Sequence, residues 1–132
     1  MPDAHLLPDL VRESAQRAPH AGALTYGAQS LTYADLLARI DGFASGLMAL
    51  GLQRGERVAI YLEKRFETVV ASFGAAAAGC VFVPLNPLLK AEQVAFILQD
   101  CGVRALVTSP DRLATLAPVI PDCPALRHLV VT

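Results

Sequence analysis

The chain has no tryptophan and few aromatic or charged residues, and each shortage excludes a class of function. Aromatic residues make up 6% of its 132 residues and charged residues 17%, below the charged share of about 25% in typical soluble domains. The formal net charge is −1, so we expect no basic surface for nucleic acid or an anionic membrane. The lack of tryptophan further disfavours a platform on which nucleotide bases stack.

Cysteine and the usual chemical motifs are also scarce. Cys80, Cys101 and Cys123 have no C-x-x-C spacing, which disfavours a disulfide framework or a zinc site and favours small buried thiols in a reduced protein. The first 19 residues lack the basic segment of a signal peptide, so a cytoplasmic protein is expected. No phosphate loop, dinucleotide fingerprint or nucleophile elbow occurs. The residues alone therefore nominate no catalytic group and no metal ligand.

One long run has no charge at all. Thr68–Leu89 contains 22 uncharged residues, and about 20 apolar residues suffice to span a bilayer. Gly79, however, separates an alanine-rich helical half from the β-type run Cys80–Val83, which Pro84 closes. We therefore expect a helix that leads into a fully buried strand, as in α/β proteins, and no membrane span.

Apolar periodicity along the rest of the chain alternates between helix and strand. Such alternation with short links predicts one α/β domain, a mostly parallel sheet with helices on both faces. A two-stranded hairpin near the start is the exception. The expected helices are 7–18, 36–47, 66–78, 88–102 and 111–117, and the expected strands are 24–26, 29–32, 57–62, 80–83, 104–108 and 126–131.

Local signals add detail to this pattern. Thr32 followed by Asp35 resembles a helix-capping box, and Gly51 is placed as a left-handed helix end. Gly42 and Gly46 lie inside the same helix, where each costs about 1 kcal/mol against alanine, so we expect them to serve close packing. The charged segment Glu63–Glu67 is interpreted as a solvated turn that opens the next helix.

Three segments carry a resemblance to a known family. Leu31–Leu36 (LTYADL), Gly51–Ile60 (GLQRGERVAI) and Ala78–Pro87 (AGCVFVPLNP) resemble, in order and separation, elements near the start of the AMP-forming adenylating enzymes. That superfamily comprises acyl-CoA synthetases, peptide-synthetase adenylation domains and luciferases. The similarity runs from about Leu24 to Thr132, and the implied fold is that of the N-terminal subdomain of acyl-CoA synthetases.

Finer resemblances favour one branch. Asn86, where the motif alternates between Asp and Asn, is more similar to acyl- and aryl-CoA ligases than to peptide-synthetase domains. The stretch from Leu62 to Lys90 resembles the acyl-CoA ligases associated with exosortase A gene clusters.

The resemblance implies a reaction that needs parts beyond this region. Family members join a carboxylate to ATP with magnesium, release pyrophosphate and transfer the acyl group to a thiol, usually that of CoA. Their phosphate loop, nucleotide-binding Asp, magnesium-binding Glu and mobile C-terminal domain follow the region matched here. Residues 1–132 are thus expected to be a single segment of a larger AMP-binding domain, without its catalytic core or C-terminal domain. Alone, this scaffold is expected to be inactive.

One binding residue is implied. Some CoA ligases place a basic residue just after the "N-P" element against the CoA phosphates, and the nearest base here is Lys90. The alternative role for Lys90 is a solvated residue at a helix start. The alternative function is a free-standing, non-catalytic module whose apolar surface binds a partner protein. Because the apolar excess of the chain implies unsatisfied sheet edges or faces, the isolated chain is expected to aggregate.

Overall fold

A four-stranded parallel sheet forms the centre of the computed structural model, which describes residues 7–132. The strand order is β4-β3-β5-β6, and every neighbouring pair is parallel. A separate antiparallel hairpin pairs β1 with β2. The helices are α1 Leu7–Arg17, α2 Tyr33–Ala49, α3 Phe66–Ala77, α4 Ala91–Asp100 and α5 Pro110–Leu116, and the strands are β1 Gly22–Tyr26, β2 Gln29–Thr32, β3 Arg57–Tyr61, β4 Val81–Pro84, β5 Ala105–Thr108 and β6 His128–Val131.

Helices cover both faces of this sheet. Val58 and Ile60 of β3 pack with α2 and α3 on one face, while Ala59 and Tyr61 pack with α4 and α5 on the other. Successive strand residues point to opposite faces, so a strand buried on both sides must be apolar throughout, as β3 is after Arg57. The predicted α/β class, with a mostly parallel sheet between helices, is confirmed.

A third layer lies outside α2 and α3. Val11 of α1 forms a small core with Leu36 and Ile40 of α2, and Val70 and Phe73 of α3 pack against it. The hairpin contributes to the same cluster. The spacing of apolar residues predicts each of these elements. It does not show that they pack on helices rather than on the sheet.

The uncharged run folds as a helix, a turn and a strand. Gly79 has φ of +80°, a left-handed conformation that glycine adopts without steric cost, and this allows α3 to turn sharply into β4. No helix within residues 7–132 has both the length and the apolarity to cross a membrane. The expectation of a fully buried strand is wrong, however: β4 lies at the sheet edge, and Val81 is 49% exposed.

The expected role of two glycines is also wrong. A Cβ built on Gly42 or Gly46 would meet nothing within 4 Å, so neither glycine packs closely against another described residue. The glycine that does pack closely is Gly74 of α3, where a Cβ would lie 2.6 Å from Cδ2 of Phe43 in α2. The close approach of α2 to α3 therefore depends on Gly74, a glycine of α3.

Helix ends follow local hydrogen bonds more closely than apolar spacing. The Thr32 hydroxyl accepts from the Asp35 amide at 3.1 Å, which confirms half of the proposed capping box at the start of α2. Helix α4 begins at Ala91, three residues after the expected start, because residues 86–90 form a turn of their own. A short 3-10 turn at Ile120–Asp122 was not expected.

Candidate functional site

The carboxyl ends of the four parallel strands meet at one edge of the sheet. Tyr61 and Thr108 are paired in register at the ends of β3 and β5, and Pro84 ends β4 beside Ile60. In open parallel α/β sheets, ligands bind in the crevice outside this edge. The segments that follow the strands here, including the predicted Lys90, are therefore the candidate site.

Arg112 of α5 connects three of these segments. Its Nε donates at 2.9 Å to Oε2 of Glu63, which follows β3. Its Nη1 donates at 2.8 Å to the carbonyl of Pro87, which follows β4. Its guanidinium carbon also lies 4.9 Å from the centroid of the Tyr61 ring, within the range of a cation–π contact. One arginine thus joins the turn after β3, the motif loop after β4 and the helix after β5.

Tyr61 fixes the same loop at a second point. Its hydroxyl donates to the Leu89 carbonyl at 2.6 Å, and its own carbonyl accepts from the Thr108 hydroxyl at 2.9 Å. Thr108 is fully buried, and this bond satisfies its hydroxyl, as burial of a polar group requires. Residues 85–90 are therefore held by Tyr61 and Arg112 together, an arrangement that we call the loop clamp.

The partners of Glu63, the carboxylate bonded to Arg112 of the clamp, favour its ionised form. The hydrogen bond from Arg112 lowers the pKa of Glu63 below its usual value of 4.5, and a bond from the Glu63 backbone lowers the pKa further. Arg65 Nη1 lies 3.5 Å from Glu63 Oε1 and adds an attractive charge. Arg65 also contacts the Thr132 hydroxyl. The charged segment is a strand-to-helix turn, as expected, but Glu63 and Arg65 are paired rather than only solvated.

The motif loop has its own internal bonds. Asn86 Oδ1 accepts from the Leu88 amide at 2.9 Å, a turn in which an Asx side chain replaces a backbone acceptor. Gln93 Oε1 accepts from the Lys90 amide at 2.9 Å, and this bond supports the start of α4. Between these points Leu88 is 87% exposed, so the loop presents an apolar tip on a fixed backbone.

Lys90 lies at the N-cap of α4 with an exposed side chain. Its ammonium group makes no ion pair with any of residues 7–132, so it is available to a ligand. Contact between this ammonium and a CoA phosphate stays a prediction.

Sequence reasoning missed Arg112 and Tyr61. Their positions carried a signal, since Tyr61 ends β3 and Arg112 follows β5, and adjacent parallel strands bring such positions together. The pairing of Glu63 with Arg112 required the strand order, which periodicity does not supply.

Residues 7–132 contain no cluster of metal ligands, and two of their three thiols have raised pKa values. No group of three or more His, Cys, Asp or Glu side chains among them could hold a metal ion. Burial raises the pKa of the Cys80 and Cys123 thiols, and Glu56 and Asp122 respectively raise these pKa values further. Such thiols are poor nucleophiles, because the thiolate is the reactive form. Cys101 is only partly buried.

Comparison with known proteins places this geometry in a family. The sequence profile of AMP-binding enzymes matches residues 11–132. The chain is 40% identical over 116 residues to phosphinothricin tripeptide synthetase PhsB of Streptomyces viridochromogenes, covering 87% of this chain and 10% of that protein. It is 37% identical over 103 residues to a feruloyl-CoA synthase of Amycolatopsis sp., covering 78% of this chain and 21% of that protein.

A solved structure matches the entire fold. The anthranilate CoA ligase AuaEII, in complex with anthranoyl-AMP, superposes with a TM-score of 0.94 at 25% identity, covering 100% of this chain and 26% of that one. The chain thus spans about a fifth or less of these two curated relatives and about a quarter of this structure. The resemblance found in the three sequence motifs is confirmed, and the chain belongs to the family of AMP-binding enzymes.

Proposed function

We propose that the chain is the N-terminal scaffold of an AMP-forming acyl-CoA ligase. In the complete enzyme, a carboxylate oxygen attacks the α-phosphorus of ATP and pyrophosphate leaves. The CoA sulfur then attacks the acyl carbon and AMP leaves. The observation that carries the proposal is the match of the whole chain to a CoA ligase structure at a TM-score of 0.94.

The residues around the loop clamp support the role of a scaffold rather than that of a reaction centre. Transition-state stabilisation requires charged groups or hydrogen-bond donors aimed at the reacting atoms. The charged groups of the loop clamp are instead engaged with each other and with backbone carbonyls, as at Glu63, Arg112 and Pro87. ATP and magnesium would therefore be held by other parts of the ligase, and the 132-residue chain alone would be inactive.

CoA, rather than a peptide-synthetase carrier thiol, is the proposed acceptor. The CoA ligase structure and the feruloyl-CoA synthase similarity support it, although PhsB is also similar. Asn86 does not decide between them on geometry, since an aspartate oxygen could accept the same bond from Leu88. Lys90 is our candidate for contact with a CoA phosphate, because its exposed ammonium follows the clamped loop. We also propose a cytoplasmic location, which the lack of a basic signal segment in the first 19 residues supports.

The adjacent DNA tests this proposal most directly. We expect the reading frame to continue past Thr132 into a Ser/Thr/Gly-rich phosphate loop. The protein from that frame should then catalyse carboxylate-dependent exchange of pyrophosphate into ATP and form a CoA thioester. A stop codon directly after Thr132 would overturn the proposal.

A binding module remains the second candidate function. Leu88 is 87% and Phe96 is 68% exposed, and apolar side chains that form one contiguous exposed patch mark protein contact sites. A chain that ends at a genuine stop codon, and is a well-folded monomer in solution, would favour this candidate.

A further inference from the structure

We propose that the amino ends of the parallel strands carry a binding site for a small phosphate-bearing anion, at the edge of the sheet opposite the loop clamp. This site goes beyond the proposed function, because no step of the ligase reaction depends on it. Three features point to it: a polar cleft, two basic side chains without a partner and an arginine that a carboxylate holds in place.

The cleft lies where β5 and β6 begin. Its volume is about 330 Å³, within the range of about 300–1,000 Å³ for small-ligand pockets. Its lining comes from residues 51–53 after α2, from Glu56 before β3, and from Arg104, Arg127 and His128. Among the described residues, no phenylalanine or tyrosine lines it. The cleft therefore suits a polar group rather than an aromatic ring.

The strand register brings the three basic residues of the cleft together. Ala105 of β5 is paired with His128 of β6. The Arg104 carbonyl accepts from the amides of Arg127 and His128, at 2.8 and 3.1 Å. These bonds fix the backbone positions of the three residues relative to one another, so their side chains can contact one ligand without a rearrangement of the backbone.

Glu56 does not neutralise the cleft. Its Oε2 accepts from Arg104 Nε at 2.9 Å and its Oε1 accepts from the Gln53 amide at 2.8 Å, so both carboxylate oxygens are bonded. The side chains of Arg127 and His128 make no hydrogen bond or ion pair with any other of residues 7–132. With His128 neutral, the lining has two guanidinium groups against one carboxylate. The net charge of −1 for the whole chain does not reveal this local positive excess.

The negative end of α2 also borders the cleft, at Gly51 and Leu52. Carbonyl oxygens in the last turn of a helix can accept from a nearby arginine, which would occupy Arg127. Here the Gly51 amide already donates to the Met48 carbonyl at 3.0 Å. The Leu52 amide likewise donates to the Leu47 carbonyl at 3.2 Å. These backbone bonds satisfy the helix end, and the Arg127 guanidinium stays available to a ligand.

The donors of the cleft suit phosphate oxygens. A guanidinium presents parallel N–H groups that match two oxygens of one phosphate. Glu56 orients Arg104 through Nε, while Arg104 Nη1 makes only a long contact of 3.4 Å with the Ala125 carbonyl. Arg127 offers a second guanidinium and His128 an imidazole, so donors come from three side chains. A carboxylate has only two oxygens for them, and a cation is disfavoured by the positive excess.

Thermal melting of the 132-residue chain in dilute solution tests the site. The probes are inorganic phosphate, pyrophosphate and ribose 5-phosphate, each titrated at an ionic strength held constant with potassium chloride. A ligand that binds only the folded chain raises the melting temperature as its concentration increases. We expect a saturable rise, and the probe that saturates at the lowest concentration distinguishes an inorganic anion from a phosphomonoester. The lack of a saturable rise with all three probes would overturn the proposal.

Matched arginine variants locate the binding. Arg127→Gln should raise the half-saturating probe concentration about fivefold, because it removes a guanidinium that has no other partner. Arg127→Lys should recover only part of the affinity, since lysine keeps the charge without the planar fork. The control is Arg39→Gln, which removes the same charge from α2 and should leave the binding unchanged. Arg39 and Arg127 are both exposed, so the variants should fold, and melting without a probe checks this. Equal losses in Arg127→Gln and Arg39→Gln, or no loss in Arg127→Gln, would overturn the proposed site.

Discussion

Gly74 of α3 lies directly against the Phe43 ring of α2, and a Cβ on this glycine would come within 3.0 Å of Phe43 Cβ as well as 2.6 Å of Cδ2. The nearer parts of the phenylalanine side chain cannot move without moving α2. Helix α3 therefore packs against α2 at a distance that only glycine permits.

Gly74→Ala should destabilise the fold, although alanine is the better helix former. Overpacking a buried contact costs about 1–3 kcal/mol, which exceeds the gain of about 0.5–1 kcal/mol from replacing a helical glycine. Gly46→Ala is the control, because its side chain enters open space and should stabilise the chain. Urea denaturation of both variants measures the free energy of unfolding, and a gain at both positions would contradict the packing argument.

Part of this fold could be predicted from the sequence. The period of apolar residues separates helices from strands in this chain, because β3 and β5 are apolar on both faces while α2 and α4 have one apolar stripe. It could not place β4 at an edge, since an uncharged strand suits either position. Nor could it show which helical glycine is tight, because close approach depends on the residue opposite, here Phe43.

The candidate site was predictable only in part. Asn86 and Lys90 lie in a recognisable motif loop, so the sequence identified the segment. Arg112 of the loop clamp bonds to Glu63 and to the Pro87 carbonyl, so it joins three connections. Such a set depends on which strands are neighbours in the sheet, and alternation alone does not determine that order.

Removing the arginine of the clamp should loosen the motif loop. Arg112→Gln weakens bonds to Glu63 and the Pro87 carbonyl. With Glu63 44% exposed, the ion pair contributes about 0.2–1 kcal/mol, and the bond to the carbonyl contributes about 0.5–1.5 kcal/mol. We expect the Leu89 and Lys90 amides to exchange with solvent about tenfold faster or more, since about 1.4 kcal/mol corresponds to tenfold. Arg39→Gln is the control, because Arg39 makes no side-chain bond with the other described residues. Unchanged exchange in Arg112→Gln would show that the remaining bonds hold the loop.

The clamp should also make stability depend on pH. Because Arg112 lowers the pKa of Glu63 in the folded chain, the carboxylate stabilises the fold at pH values above its unfolded pKa, near 4.5. That contribution falls as the pH drops through the lowered folded pKa. Glu63→Gln should therefore be less stable than the parent chain at pH 7, and the difference should shrink by pH 3. Unfolding free energies of both proteins at the two pH values test this; a difference that grows at low pH would contradict it.

The three thiols should differ in reactivity. Burial raises the pKa of Cys80 and Cys123, and their sulfurs are shielded from reagents, whereas Cys101 is partly exposed. Brief treatment of the folded chain with iodoacetamide at pH 8 should alkylate Cys101 first, as peptide mass spectrometry would show. In urea the three sites should react alike. Early labelling of Cys80 would indicate that β4 detaches from the sheet.

Lys90→Ala tests the proposed CoA contact. In the full-length enzyme, loss of the ammonium should raise the KM for CoA several-fold. Pyrophosphate exchange should be unchanged, because acyl-adenylate formation precedes CoA binding. Lys64→Ala is the matched control, since Lys64 is the chain's other lysine and is likewise exposed after a strand of the same sheet. An equal rise in both variants would indicate a general effect of surface charge, and an unchanged KM in Lys90→Ala would remove the assignment.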